Sequence, residues 1–86
     1  MVNGKATSLP PPVYPSEAKA TRLGGVVTIQ VLIDERGKVI RAGAVKGHPV
    51  LQFASRYAAC DARFTPTLLS GTPVKVSGVI TYNFVP

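Results

Sequence analysis

The sequence predicts an α+β fold: a three-stranded antiparallel sheet with two helices packed on one face, in the order α-β-β-α-β. Three observations lead there. Residues 26–34 and 74–84 alternate apolar and polar side chains with the two-residue period of a strand. Residues 49–63 follow the breaker Gly47-His48-Pro49 and carry apolar side chains at helical spacing. Asp34-Glu35-Arg36-Gly37 divides two apolar runs in the manner of a hairpin, with Gly37 free to take a positive φ.

Residues 1–13 read as a proline-rich linker stub, and residues 14–86 as one domain. Pro10, Pro11 and Pro12 in succession favour an extended polyproline course. Pro15 opens a first helix to about Leu23, with Glu17 in the first turn and Gly24-Gly25 as the stop. The strand at 26–34 turns Val27, Ile29, Val31 and Ile33 to one face, and Val26, Thr28, Gln30 and Leu32 to the other. One face is therefore core and the other partly wet. The second strand, 38–46, is rich in small residues (Ala42, Gly43, Ala44), which suits a helix lying close over it. In the second helix, Val50, Leu51, Phe53, Ala54, Tyr57, Ala58 and Cys60 form an apolar arc opposite Gln52, Ser55, Arg56, Ala59 and Arg63. Asp61 falls inside that arc without an account. Gly71-Thr72-Pro73 lies in a loop ahead of the last strand, 74–84. The expected core comprises Ile29, Val31, Ile33, Leu51, Phe53, Ala54, Ala58, Phe64, Ile80 and Tyr82.

Composition narrows the function. The 86 residues allow one domain with a small core and no deep cleft, which disfavours most enzymes. A 45% hydrophobic content excludes a disordered tail. No apolar run approaches the ~20 residues that span a bilayer, and no signal peptide is visible. The one cysteine, Cys60, allows no internal disulfide and reads as a small buried hydrophobe. The one histidine, His48, has too few partners for a zinc site. No catalytic residue, metal ligand or cofactor site is expected. Ten Lys and Arg against four Asp and Glu give a formal charge of +6. The basic residues are spread along the chain without interleaved aromatics, which argues against nucleic acid and allows a weak attraction to anionic cell-wall polymer.

The punctuation resembles that of the carboxy-terminal domain of TonB-like energy transducers, from Tyr14 to Phe84. The matching pieces are Tyr14-Pro15 followed by Ala18; Gly25-Val26-Val27; Asp34-Glu35-Arg36-Gly37-Lys38-Val39; Gly47-His48-Pro49 followed by Leu51; Arg63-Phe64-Thr65-Pro66; Gly71-Thr72-Pro73-Val74; and Tyr82-Asn83-Phe84. Two positions depart. Pro11 stands where well-studied transducers carry a Gln that contacts receptors, and Ala62 stands where an aromatic often precedes the Arg-Phe pair.

The resemblance implies mechanical work. Such a domain sits in the periplasm and grips the TonB-box segment of an outer-membrane transporter as an added strand. The missing amino-terminal part would anchor the protein in the inner membrane and engage a proton-driven motor complex there. The partner-binding residues would be Val74, Lys75, Val76, Ser77, Val79, Thr81 and Asn83 on the last strand, flanked by Tyr14 and Pro15. The alternative is an appended TonB-like module of another envelope protein, binding a partner protein or a cell-wall polymer such as peptidoglycan. Open sheet edges also imply a weak homodimer at high concentration.

Overall fold

The computed structural model of the chain describes residues 6–86, so the start of the linker stub lies outside the described residues. In chain order the elements are β1 (Ala6–Ser8), α1 (Ser16–Ala20), β2 (Gly25–Ile33), β3 (Val39–Lys46), α2 (Pro49–Cys60), β4 (Arg63–Phe64), β5 (Thr67–Leu69), β6 (Thr72–Val74) and β7 (Val76–Phe84). The α+β class expected from the sequence holds. The main sheet has three antiparallel strands in the order β3-β2-β7, and β1–β4 and β5–β6 form two small ladders beside it.

β2 is the central strand, and its inward side chains are almost completely dehydrated. Val27, Ile29, Val31 and Ile33 are at most 3% exposed, and burying each contributes about 2 kcal/mol. From β7, Ile80, Tyr82 and Phe84 join them, with Val39 from β3 and Leu51, Ala58 and Ala59 from α2. The opposite face of β2 is exposed at Val26 and Gln30 and half-buried at Thr28 and Leu32.

The β2–β3 turn is tied by one carboxylate. Asp34 Oδ1 accepts the Lys38 amide at 2.8 Å and the Arg36 amide at 2.9 Å. The Lys38 amide above all, with the Arg36 amide and the charges of both side chains, holds the Asp34 carboxyl below its ordinary value, against a desolvation effect. Gly37 takes φ +83°, and its carbonyl accepts the Phe64 amide at 2.8 Å.

Several expectations need correction. α1 stops at Ala20, short of Leu23. Its end is a Schellman motif, in which Leu23 N–H reaches the Ala18 carbonyl and Arg22 N–H reaches the Lys19 carbonyl. Arg22 supplies the left-handed residue itself (φ +58°), two positions before the glycines. α2 ends at Cys60, and its buried stripe is Leu51, Ser55, Ala58 and Ala59, continued by Ala62 just beyond the helix. Phe53, expected in the core, is 70% exposed, as is Tyr57, and Cys60 is exposed. The cause is steric: α2 lies close over β3, where half-buried Ala42 and Ala44 face the core, and beyond Leu51 the helix fills that seam with small side chains. Ser55 survives there because its hydroxyl donates to the Leu51 carbonyl at 2.8 Å. Ala6–Ser8, read as linker, pairs as β1 with β4. The last strand is not continuous over 74–84: Thr72–Val74 folds back on Thr67–Leu69, and the long strand begins at Val76.

Gly37 is the residue least able to change. A Cβ built there would lie 1.8 Å from the Phe64 carbonyl oxygen, a backbone atom with no room to yield. Gly37→Ala should cost on the order of 3 kcal/mol, from the strained φ and the clash together. A urea titration followed by circular dichroism checks this; a loss below about 1 kcal/mol would mean that the turn and β4 separate freely.

Candidate functional site

β7 presents the longest regular edge of the main sheet. It pairs with β2 over its whole length, from Gly25↔Phe84 to Ile33↔Val76, without a register shift. β2 and β3, by contrast, slip register twice, between Thr28 and Ile29 and between Leu32 and Ile33. Bulges of that kind bend an edge and spoil it as a template. In the order β3-β2-β7, the far side of β7 carries no further strand among the described residues. Nine residues at about 3.3 Å each give an edge of roughly 30 Å, long enough for a bound segment of six or seven residues.

The expected partner-binding residues divide between two elements. Val76, Ser77, Val79, Thr81 and Asn83 lie on β7. Val76 faces the helices with Ile80 and Tyr82. Ser77, Val79, Thr81 and Asn83 share the outer face, opposite Leu32, Gln30, Thr28 and Val26 of β2. Val74 belongs instead to β6, opposite Thr67, and Lys75 is the single residue between the two strands.

Tyr14 and Pro15 sit at the other end of the strand's course. The Tyr14 ring meets Phe84 edge-on, with centroids 5.4 Å apart at 87°. Its hydroxyl donates to the Leu23 carbonyl. Tyr14 therefore clasps both ends of α1 and buttresses the last residue of β7. Pro15 is the N-cap residue of α1.

Sequence reasoning missed the β5–β6 hairpin that leads into β7. Its turn residues, Ser70 and Gly71, both have positive φ (+52° and +82°), the geometry of a two-residue hairpin turn. The dipeptide Ser-Gly between Leu69 and Thr72 was the available signal. Leu68 and Leu69 stand exposed on this hairpin.

His48 caps α2, its Nδ1 accepting the Val50 amide at 3.2 Å. Cys60 lies at the opposite end of the same helix. Among the described residues no group of three or more His, Cys, Asp or Glu could hold a metal ion, and no helix is long and apolar enough to cross a membrane.

The fold has known relatives. Residues 10–86 match the family model described as Gram-negative bacterial TonB protein C-terminal. The solution NMR structure of the Pseudomonas aeruginosa TonB CTD superimposes with a TM-score of 0.74 at 26% identity, covering 93% of this chain and 83% of that one. No curated protein sequence matches the chain.

β7 also carries one unsatisfied group. The Tyr82 ring is buried, and its hydroxyl has no hydrogen-bond partner among the described residues. Burial, and secondarily the charge of nearby Cys60, push its pKa from 10.0 up to about 12. A raised folded-state pKa contributes stability below the unfolded value and loses it as pH rises through the folded one. Stability should therefore fall between pH 10 and about 12. Tyr82→Phe should remove that share of the alkaline loss and, at neutral pH, leave stability unchanged or raise it by about 1 kcal/mol. Paired thermal melts at pH 7 and pH 11 test both statements; a Tyr82→Phe domain clearly weaker at pH 7 would show that the hydroxyl is bonded after all.

Proposed function

The chain belongs to the Gram-negative bacterial TonB protein C-terminal family, and from that premise we propose that it is the periplasmic peptide-binding domain of an energy transducer. It docks a segment of an outer-membrane transporter along β7 by strand addition, so that force derived from the proton gradient reaches the transporter. The observation that supports this is the unbroken nine-residue ladder on one side of β7, with the strand itself at the sheet's edge. Backbone groups supply affinity in this mode, and alternate side chains supply selectivity. Ser77, Val79, Thr81 and Asn83 line the outer face that a bound segment would extend, and Tyr14 steadies the strand through Phe84.

The remaining partners follow from the same reading. An amino-terminal part beyond this sequence anchors the protein in the inner membrane and engages the motor complex. The formal charge of +6 supports a weak, salt-sensitive attraction to anionic peptidoglycan. Edge-to-edge pairing of two β7 strands would give a weak homodimer.

Strand addition is testable without altering the domain. A TonB-box-like peptide is titrated into labelled domain while backbone amide shifts are followed. Two versions of the peptide are then N-methylated at alternate residues. Methylation deletes ladder donors on one edge of an extended peptide, so one version should bind about tenfold or more weakly and the other should bind like the parent. Shifts should concentrate in residues 76–84. Equal binding by both methylated peptides would reject a β ladder as the mode of docking.

A further inference from the structure

α2 turns its two large aromatics away from the core. Phe53 and Tyr57 are one helical turn apart, with ring centroids 5.8 Å from each other at a 40° tilt. They form one wall of an apolar groove of about 600 Å³. The opposite wall is the extended segment before α1, contributed by Pro10, Pro11 and Val13. Val13 is 80% exposed, so the segment flanks the groove and does not fill it. Asp61 lies at the end of the groove set by the α2 C-terminus and is its one charged lining residue. Asp61 is also the residue that the apolar arc of the sequence left unexplained.

We propose that this groove is a second binding site, one that takes a proline-rich segment of a partner protein carrying an arginine or lysine. Paired exposed aromatics offer flat faces on which proline rings pack, and a polyproline segment is preformed, so it pays little ordering entropy on docking. The charge is assigned by position. The last turn of α2 contains no basic residue. The Ala58 and Ala59 carbonyls accept the Asp61 and Ala62 amides, and Arg63 donates to the Ala62 carbonyl, so the charge at this end of the groove is the Asp61 carboxylate, which favours a cation. Spacing follows from the two helices' rises. The middle of the aromatic pair lies about six residues before Asp61, or roughly 9 Å along an α-helix. A polyproline chain covers that distance in about three residues. The recognised pattern is thus a proline seated on Phe53 and Tyr57, with the basic residue three positions away in the direction of Asp61. This site is independent of the β7 edge: it uses side chains of α2 and the proline segment, whereas strand addition uses backbone.

The probe is the peptide acetyl-Ala-Pro-Pro-Ala-Pro-Arg-Ala-amide, titrated into labelled domain, with a second peptide carrying Glu in place of Arg. The Arg peptide should shift amides of Val13 and residues 53–61 and leave residues 76–84 unmoved. The Glu peptide should bind at least about fivefold more weakly at low salt, and the gap should close as salt rises. Tyr57→Ala, at an exposed position that the fold does not depend on, should weaken the Arg peptide about tenfold with an unchanged circular dichroism spectrum. Asp61→Asn should weaken it about threefold and abolish the preference over the Glu peptide. Equal binding of the two peptides, shifts confined to β7, or full affinity in Tyr57→Ala would each overturn the proposal. So would sedimentation showing a dimer that Tyr57→Ala dissolves, because the groove would then belong to a second copy of the chain.

Discussion

The close seam between α2 and the sheet governs the rest of the molecule. Ser55 and Ala59 are completely buried there, with Ala58 and Ala62 beside them, over half-buried Ala42 and Ala44 of β3. Side chains of that size let the helix approach its sheet closely, and no larger residue fits without pushing the layers apart. The approach begins at Gly47, whose φ of +127° carries the chain so near β2 that a Cβ would sit 2.9 Å from Val27 Cγ2. Gln52 then fastens the first turn, its Nε2 donating to the Gly47 carbonyl at 2.7 Å. Once the small stripe faces inward, Phe53, Tyr57 and Cys60 must face outward.

The two edges of the main sheet are unlike for the same reason that β2 is its centre. β2 satisfies both neighbours, but only β7 follows it residue for residue. β3 slips twice, and it lies beneath α2. A bulged, roofed edge resists pairing, whereas a straight one invites it. The hairpin β5–β6 ends one residue before β7 begins, so Lys75 marks where one ladder stops and the regular edge starts.

The class of fold and the positions of its long elements were legible because two-residue alternation and the breakers Gly37, Gly47 and Pro49 are local signals. Ile29, Val31, Ile33, Leu51, Ala58, Phe64, Ile80 and Tyr82 are buried as the pattern requires. The face of α2 was not legible. Its arc was centred on Phe53 and Tyr57, while the structure buries Leu51 followed by the small Ser55, Ala58 and Ala59. Size and burial usually run together, and they part where a helix must lie close to a sheet. The pairing of Ala6–Ser8 with Arg63–Phe64 joins residues far apart in the chain, so no local period could announce it. The strand break at Lys75 was concealed because Val74 and Val76 keep the alternation across it. For the candidate site, the β7 residues were legible from that alternation, but the aromatic groove was not, since it depends on which way α2 is rotated.

The short extended segment before α1 connects the two candidate surfaces. Tyr14 turns inward to Phe84 and Leu23, while its neighbours Val13 and Pro15 face the groove beside α2. Pro11 lines the wall opposite Phe53 and Tyr57 and is itself exposed. Proline adds no donor and fixes φ, which keeps the wall extended across α2. The proline segment and the outward-facing pair Phe53 and Tyr57 are therefore two walls of one groove. Together they leave an apolar ring surface beside α2, while the backbone edge of β7 lies beyond Tyr14 and Phe84.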